Sequence, residues 1–288
     1  IDTAIRLAGS EKIIVTFADM LNVPGSGSSL SKARSSGARV ETCYSPETAL
    51  ELAKKNPDSE VVFLGVGFET TIAPVINIVA AASSEKLGNI SMLTSFKLIP
   101  PAMEALSADR ELNIDAFLCP AHVSAIIGAK AYEPFSEKYR KPCVIAGFEP
   151  LDVLMGIRLI LLQILNGECR VENNYARVVK HDGNTKAVEF ICRYLKPADA
   201  YWRGIGMIPG SGASIRDEFS AYDAEKRFSC PVVNSAEITK CRCGDVLKGK
   251  ITPDQCPLFA RKCTPSTPSG PCMVSSEGTC AAYYKYSR

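Results

Sequence analysis

The densest chemistry in the chain is sulfur. Of twelve cysteines in 288 residues, six (Cys241, Cys243, Cys256, Cys263, Cys272 and Cys280) fall between positions 241 and 280, spaced C-x1-C-x12-C-x6-C-x8-C-x7-C. Thiolates are soft donors, and a four-sulfur set suits zinc or an iron–sulfur cluster, which spacing alone does not separate. Six thiols exceed one tetrahedral set by two. Taking Cys241, Cys256, Cys263 and Cys280 gives C-x14-C-x6-C-x16-C and leaves Cys243 and Cys272 as a spare pair. Zinc ribbons bring their ligands in short C-x2-4-C knuckles. The tail has no such knuckle, which favours iron–sulfur. The plain alternative is a disulfide-stitched tail, the habit of small secreted domains. One dense thiol segment on a large α/β body fits a reduced, cytoplasmic protein better.

Four residues of the body also stand where chemistry is often placed. Glu69, Cys119, His122 and Glu149 each lie directly after a predicted strand, at the carboxyl edge where doubly wound sheets bind ligands. His122 comes three residues after Cys119 at a predicted helix start, where an imidazole and the helix N-terminus would lower a thiol pKa. Each residue has a bland reading as well: a core histidine beside a buried thiol, or an acid stabilised by the dipole of the helix it opens. Thr70 and Thr71 read as caps or polar liners of the same edge. Glu277 reads as an acceptor near the thiols or as a solvated loop charge. Cys43, Cys143, Cys169, Cys192 and Cys230 read as small structural residues. His181 and Trp202 have no constellation around them.

The elements that must position these residues alternate between strand and helix. Lys12–Phe17, Ala38–Thr42 and Glu60–Leu64 read as strands, separated by helices near 28–36 and 45–56. Ser45 and Pro46 start the second helix and Asn56-Pro57 stop it. Asn89–Phe96, Asp115–Leu118 and Cys143–Ala146 read as a second set of strands, with helices near 100–108 and 122–140. The third strand of each set runs into the same tripeptide, Gly67-Phe68-Glu69 and Gly147-Phe148-Glu149. The predicted fold is therefore two similar α/β domains with parallel sheets, 1–88 and 89–168, followed by a smaller C-terminal domain, 169–288, that carries the cysteine-rich segment. A second echo pairs residues 23–30 with 208–215, both expected as Gly-Ser turns entering helices. Such turns can cradle an anion, but neither has the ending of a P-loop, and a simple strand-to-helix turn is the favoured reading.

Composition narrows the partners. Thirty-three basic and thirty-one acidic residues leave a net charge of +2, no footprint for nucleic acid or an anionic membrane surface. The apolar stretch from Leu151 to Leu165 is interrupted by Asp152, Arg158 and Gln163 and is shorter than the roughly 20 residues a bilayer requires. It predicts a buried helix.

Several runs resemble the HypD family of [NiFe]-hydrogenase maturation scaffolds: residues 241–249, beginning Cys241-Arg242-Cys243-Gly244-Asp245; Cys263-Thr264-Pro265; and residues 270–284, from Gly270-Pro271-Cys272 through Gly278-Thr279-Cys280 to Tyr284. Upstream, Gly67-Phe68-Glu69-Thr70-Thr71, Cys119-Pro120-Ala121-His122-Val123-Ser124 and Gly147-Phe148-Glu149-Pro150 are similar too, so the resemblance covers essentially the whole chain. It implies two α/β domains plus a smaller one with a [4Fe–4S] cluster held by Cys241, Cys256, Cys263 and Cys280. Cys243 and Cys272 match the family dithiol that passes electrons between cluster and iron site. The implied function is assembly of an iron fragment bearing two cyanides and one carbon monoxide, with the small chaperone HypC and the cyanide-delivery proteins HypE and HypF. That is an assembly scaffold with redox chemistry rather than a conventional turnover enzyme. Family members carry Cys-Gly-Thr-His and Cys-Pro-x-Cys motifs upstream of the point matched by Ile1. The expectation is a truncated member that lacks the thiols of the iron-assembly site but keeps the cluster ligands. Two other classes compete: a zinc-stabilised α/β binding protein without a redox role, and a nucleotide-dependent enzyme built on the Gly-Ser turns.

Overall fold

The structure, a computed structural model, describes residues 1–230 and 240–287. The first sheet begins after helix α1 (Asp2–Ala8) with strand β1 (Ile13–Phe17), and α2 (Leu30–Ser35) leads to β2 (Val40–Cys43). Helix α3 (Glu47–Lys55), β3 (Val61–Gly67), α4 (Glu69–Glu85) and β4 (Ile90–Phe96) follow, giving a parallel sheet of order β2-β1-β3-β4. Strands covered by helices on both faces read as unbroken apolar runs, and β1 and β3 obey this with Ile13, Ile14, Val15, Val61, Val62 and Phe63 all buried. Helix α3 starts where predicted, although Pro46 takes the N-cap position while the Ser45 hydroxyl bonds the Glu47 carboxylate. The Asn89 side-chain amide donates to the carbonyls of Ala53, Asn56 and Ser59. It thereby locks the end of α3 to the start of β4.

Strand β4 corrects one expectation. Assigned from the sequence to the second α/β unit, it pairs with β3 along its whole length, from Val61↔Ile90 to Gly67↔Phe96. The reason lies in the preceding turn. Lys86 takes a left-handed conformation (φ 56°) that ends α4 at once, and the short return leaves the next strand beside the one just left.

The second sheet is smaller. After α5 (Ile99–Ser107) come β5 (Phe117–Pro120), α6 (Ala121–Ile127), α7 (Glu133–Tyr139), β6 (Cys143–Ala146), α8 (Pro150–Leu165) and β7 (Val171–Asn173), with sheet order β5-β6-β7 and parallel pairing throughout. The expected unit 89–168 thus gives its first strand to the neighbouring sheet and takes its last from beyond residue 168. The repeated Gly-Phe-Glu follows β3 in one sheet and β6 in the other. It therefore marks the third strand of the first sheet but the second of its partner. The helix expected over 122–140 is broken by Gly128 (φ 83°), which is forced by contact: a side chain there would sit 2.3 Å from the His181 carbonyl.

Helix α8 is inside out relative to expectation. Its buried residues are Asp152, Gly156 and Gln163, whereas Leu151, Leu154, Ile157, Leu161, Leu162, Ile164 and Leu165 are exposed. Gly156 lets the helix close onto the sheet, since a Cβ there would meet the Leu118 side chain at 2.5 Å. Gln163 takes the Arg170 N–H and donates to Glu172. The polar and small residues that interrupt the apolar run are the ones that dock the helix.

The remaining chain returns to the first sheet. Helix α9 (Thr185–Tyr194) packs on α4, and the antiparallel pair β8 (Leu195–Trp202) and β9 (Gly206–Ile215) inserts Leu195 and Ile215 into that core. Residues 208–215, expected as a turn entering a helix, are strand. After α10 (Ala224–Arg227), the cysteine-rich segment forms short helices α11 (Cys243–Leu247), α12 (Pro271–Val274) and α13 (Thr279–Tyr286) around a small core of Val246, Met273 and Ala281. No helix among the described residues is long and apolar enough to cross a membrane.

Candidate functional site

Five of the six tail cysteines, Cys241, Cys243, Cys263, Cys272 and Cys280, share one small core, in which the Cys272 thiol donates to the Cys280 sulfur at 3.1 Å. Cys263 lies in the same core, where its sulfur accepts the Ser269 N–H at 3.3 Å. No cysteine is in a disulfide. The two thiols left over by the sequence division, Cys243 and Cys272, lie in this same core and shift each other's titration, while the direct sulfur contact of Cys272 is with Cys280.

Glycines make this gathering possible. A Cβ on Gly270 would lie 2.6 Å from the Cys241 sulfur, and one on Gly204 would lie 2.3 Å from the Cys243 sulfur. Gly278 passes equally close to the Cys272 carbonyl. Burial and mutual crowding raise the pKa of three of these thiols. Cys241 rises because it donates to Cys243 and because it is buried. Cys243 is helped by a bond from Cys241, yet the Cys272 thiol and burial push it up to about 12. Cys272 reaches about 12 in the same way, opposed by Cys243 and raised by Cys280 and burial. Among the described residues no three His, Cys, Asp or Glu side chains are disposed around one metal ion. The donor chemistry, soft sulfurs of five cysteines in one glycine-walled core, is of the type that an iron–sulfur cluster uses.

A chain of contacts leads from this core to the carboxyl edge of the first sheet. Gly204, against Cys243, is two residues from Trp202. The Trp202 indole stacks near Phe68 with centroids 6.1 Å apart, and its N–H donates to the Ser211 hydroxyl at 2.7 Å. Phe68 precedes Glu69. The carboxylate of Glu69 is buried, with Oε1 accepting the Ile99 N–H at 2.8 Å and Oε2 buried without a partner. Burial raises its pKa against the pull of the backbone N–H groups. Thr71, one of the two predicted liners, packs against Gly67, whose backbone (φ 147°) leaves no room for a side chain.

Cys119 and His122 part company. The Cys119 thiol is buried, its pKa raised well above the ordinary value by a hydrogen bond with Cys143 and by burial. His122 is exposed and lies against Phe148, with centroids 4.7 Å apart. The expected activation of a thiol by an imidazole is not the arrangement adopted, because β5 turns the Cys119 side chain into the core it shares with Cys143 and Tyr132. Tyr132 is fully buried, bonds the Ser124 hydroxyl at 3.1 Å, and feels the charges of Cys119, Glu69 and Cys143.

Glu149 belongs to an ion network. Arg177 binds it at 2.6 Å, grips both oxygens of Asp152 at 3.1 and 2.7 Å, and stacks on Tyr175 at 3.9 Å. Asp152 is held low, chiefly by Arg177, and Glu149 is pushed up, chiefly by its hydrogen bond with Asp152. Glu277 is exposed, as a solvated loop charge would be, and Cys192 is exposed too, against its reading as a core residue.

The Gly-Ser segments are otherwise engaged. In the first, the Ser26 N–H and hydroxyl both bind the carboxylate of Asp2 at 2.8 Å, so the chain supplies its own anion there. In the second, Pro209 and Gly210 border a pocket of ≈ 350 Å³ shared with Pro101, Glu104 and Tyr139, and Gly210 N–H is bound by Asp199. A carboxylate at each segment opposes a phosphate. Sequence reasoning missed the places of Trp202, Tyr132 and Arg177 in this arrangement.

A family model described as HypD, hydrogenase formation, matches residues 1–287. The hydrogenase maturation factor HypD of Azotobacter vinelandii is 44% identical over 296 residues, covering 100% of this chain and 78% of that protein. The hydrogenase expression/formation protein HupD of Azotobacter chroococcum is 43% identical over 296 residues, with the same coverage. HypD of Cupriavidus necator is 42% identical over 297 residues, again covering 100% and 78%.

Proposed function

Because this chain belongs to the HypD family of hydrogenase maturation factors, we propose that it is a redox scaffold on which the iron unit Fe(CN)2CO is put together. Partners of the HypC chaperone type and the HypE/HypF cyanide-delivery type belong to this reading, as does the cytoplasm, where thiols stay reduced. Cys241, Cys256, Cys263 and Cys280 are its cluster ligands, and Cys243 with Cys272 is its dithiol. A [4Fe–4S] cluster supplies electrons one at a time, and a dithiol stores and releases them in pairs.

The observation that supports this reading is the burial of Cys243 and Cys272 in one small core, at the point where Gly204 and Trp202 lead from the sulfurs to Phe68 and Glu69. A purely structural metal site needs no such route. The cleft residues have separable roles. Glu69, His122 and Glu149 lie after strands at the carboxyl edges of the two sheets, Glu69 as a buried carboxyl whose pKa burial raises and Glu149 as an anchor for Arg177. Cys119, buried and protonated, shapes the core behind them.

Metal and sulfide analysis of oxygen-free protein tests the reading against its rival, a zinc-stabilised binding protein. Iron with matching acid-labile sulfide supports the scaffold. Stoichiometric zinc without sulfide supports the rival.

A further inference from the structure

Helix α8 docks by its small and polar side, Asp152, Gly156 and Gln163, and leaves an apolar stripe in solvent. Along the outer side run Leu151, Leu154, Arg158, Leu161 and Leu165, spaced alternately three and four residues apart. That alternation keeps successive side chains on one helical face and is the seam spacing by which two helices pack. All five are exposed, the four leucines to between 54% and 81%. The seven exposed apolar residues of α8 present on the order of 700 Å², more than the roughly 300–600 Å² of the largest apolar patch on a typical monomer and near the roughly 800 Å² that one partner brings to a stable interface.

Charge says what covers the stripe. Arg158 is the one charged residue among the exposed positions of α8, and among the described residues it enters no ion pair. The stripe is balanced about it, with Leu151 and Leu165 seven residues away on either side. Two copies of α8 paired in register, parallel or antiparallel, would press Arg158 against Arg158 inside an apolar seam, where like charges leaving water are costly. Slipping one copy to part the arginines removes about half of the overlap. A bilayer surface fits no better, since helices that lie on membranes keep a charged face toward water, whereas Asp152 and Gln163 of α8 are buried. We propose that α8 is the docking face for an amphipathic helix of a different protein, one whose apolar stripe carries a single carboxylate near its middle to pair with Arg158. The guanidinium presents a planar fork to that carboxylate while its stem packs among the neighbouring leucines. The cation that opposes self-pairing thereby selects the partner. This surface draws on none of the tail cysteines, so it goes beyond the scaffold reading and is tested apart from it.

The probe is a labelled, stapled helical peptide as long as α8, with leucines at the same alternating spacing and one central glutamate; a second peptide has lysine in its place. Fluorescence anisotropy is read on the full chain. The expected result is saturable binding of the glutamate peptide, with the lysine peptide weaker by roughly tenfold or more. Leu154→Gln and Leu161→Gln, both at exposed positions, each weaken the glutamate peptide by roughly tenfold, and Arg158→Glu reverses the preference in favour of the lysine peptide. Equal affinity for the two peptides, or wild-type affinity in both leucine variants, overturns the proposal. Sedimentation of the chain alone and flotation with phosphatidylcholine vesicles test the other occupants. A wild-type dimer that Leu154→Gln dissociates overturns it in favour of a second copy, and vesicle capture that Leu154→Gln abolishes overturns it in favour of a membrane surface.

Discussion

Gly204→Ala isolates the packing of the dithiol from everything else in the fold. Gly204 (φ 88°), in the turn between β8 and β9, and Gly206 (φ 106°), which opens β9, are both positive-φ glycines. An alanine at either position bears a similar backbone cost of about 1–2 kcal/mol. Their surroundings differ. A Cβ at 206 meets nothing within 4 Å, whereas one at 204 falls 2.3 Å from the Cys243 sulfur. Ordinary contact lies near 3.5–4.0 Å, so the buried sulfur or the loop must give way by about 1.2–1.7 Å, at about 1–3 kcal/mol beyond the backbone term. The expected outcome is a lower urea midpoint for Gly204→Ala than for Gly206→Ala, with unchanged slope. Mild oxidation followed by alkylation and peptide mapping should also give less Cys243–Cys272 crosslink in Gly204→Ala alone. Equal midpoints and equal crosslinking in the two variants would refute the argument that Gly204 seats Cys243 against its partner.

Other perturbations follow from the same geometry. Burial raises the Glu69 pKa, so the folded state keeps a proton that the unfolded chain releases near pH 4.3. The wild type therefore loses stability relative to Glu69→Gln as pH rises above that value, and denaturation midpoints that run parallel with pH would contradict it. On α8, Leu154→Gln and Leu161→Gln should each change stability by less than about 0.5 kcal/mol because both residues are exposed. Gly156→Val should cost more than about 1 kcal/mol by pushing into Leu118, and the opposite order in thermal melts would mean that α8 is seated the other way round. Arg177→Gln strips Asp152 of its bidentate partner. A drop in midpoint larger than that of Glu149→Gln is expected, since Glu149 is the more exposed acid.

The strands of the first sheet were legible because unbroken runs such as Ile13-Ile14-Val15 can only be buried parallel strands between helices. The assignment of β4 was not, since a helix followed by a strand looks the same whether the chain returns to the old sheet or starts a new one. The left-handed turn at Lys86 decided it. The apolar run of α8 misled for a related reason: hydrophobicity does not say which face docks, and here a glycine contact and the hydrogen bonds of Asp152 and Gln163 do. The family resemblance set Cys243 and Cys272 apart from the cluster ligands, and the fold places both in one small core with Cys241, Cys263 and Cys280. Spacing had no means of showing that Gly204, nearly forty residues earlier, forms a wall of that core. The Cys119-x2-His122 pattern suggested an activated thiol, but β5 turns Cys119 into the core while His122, already on α6, is exposed.

The central claim is that four tail sulfurs bind an iron–sulfur cluster and two others form a separate dithiol. Electron paramagnetic resonance of anaerobically prepared protein after dithionite, compared across single Cys→Ala variants, tests it most directly. The account predicts a reduced-cluster signal in the wild type that survives in Cys243→Ala and Cys272→Ala and vanishes in Cys256→Ala and Cys263→Ala. A silent wild type, or a signal lost with Cys243 and kept without Cys256, would contradict it.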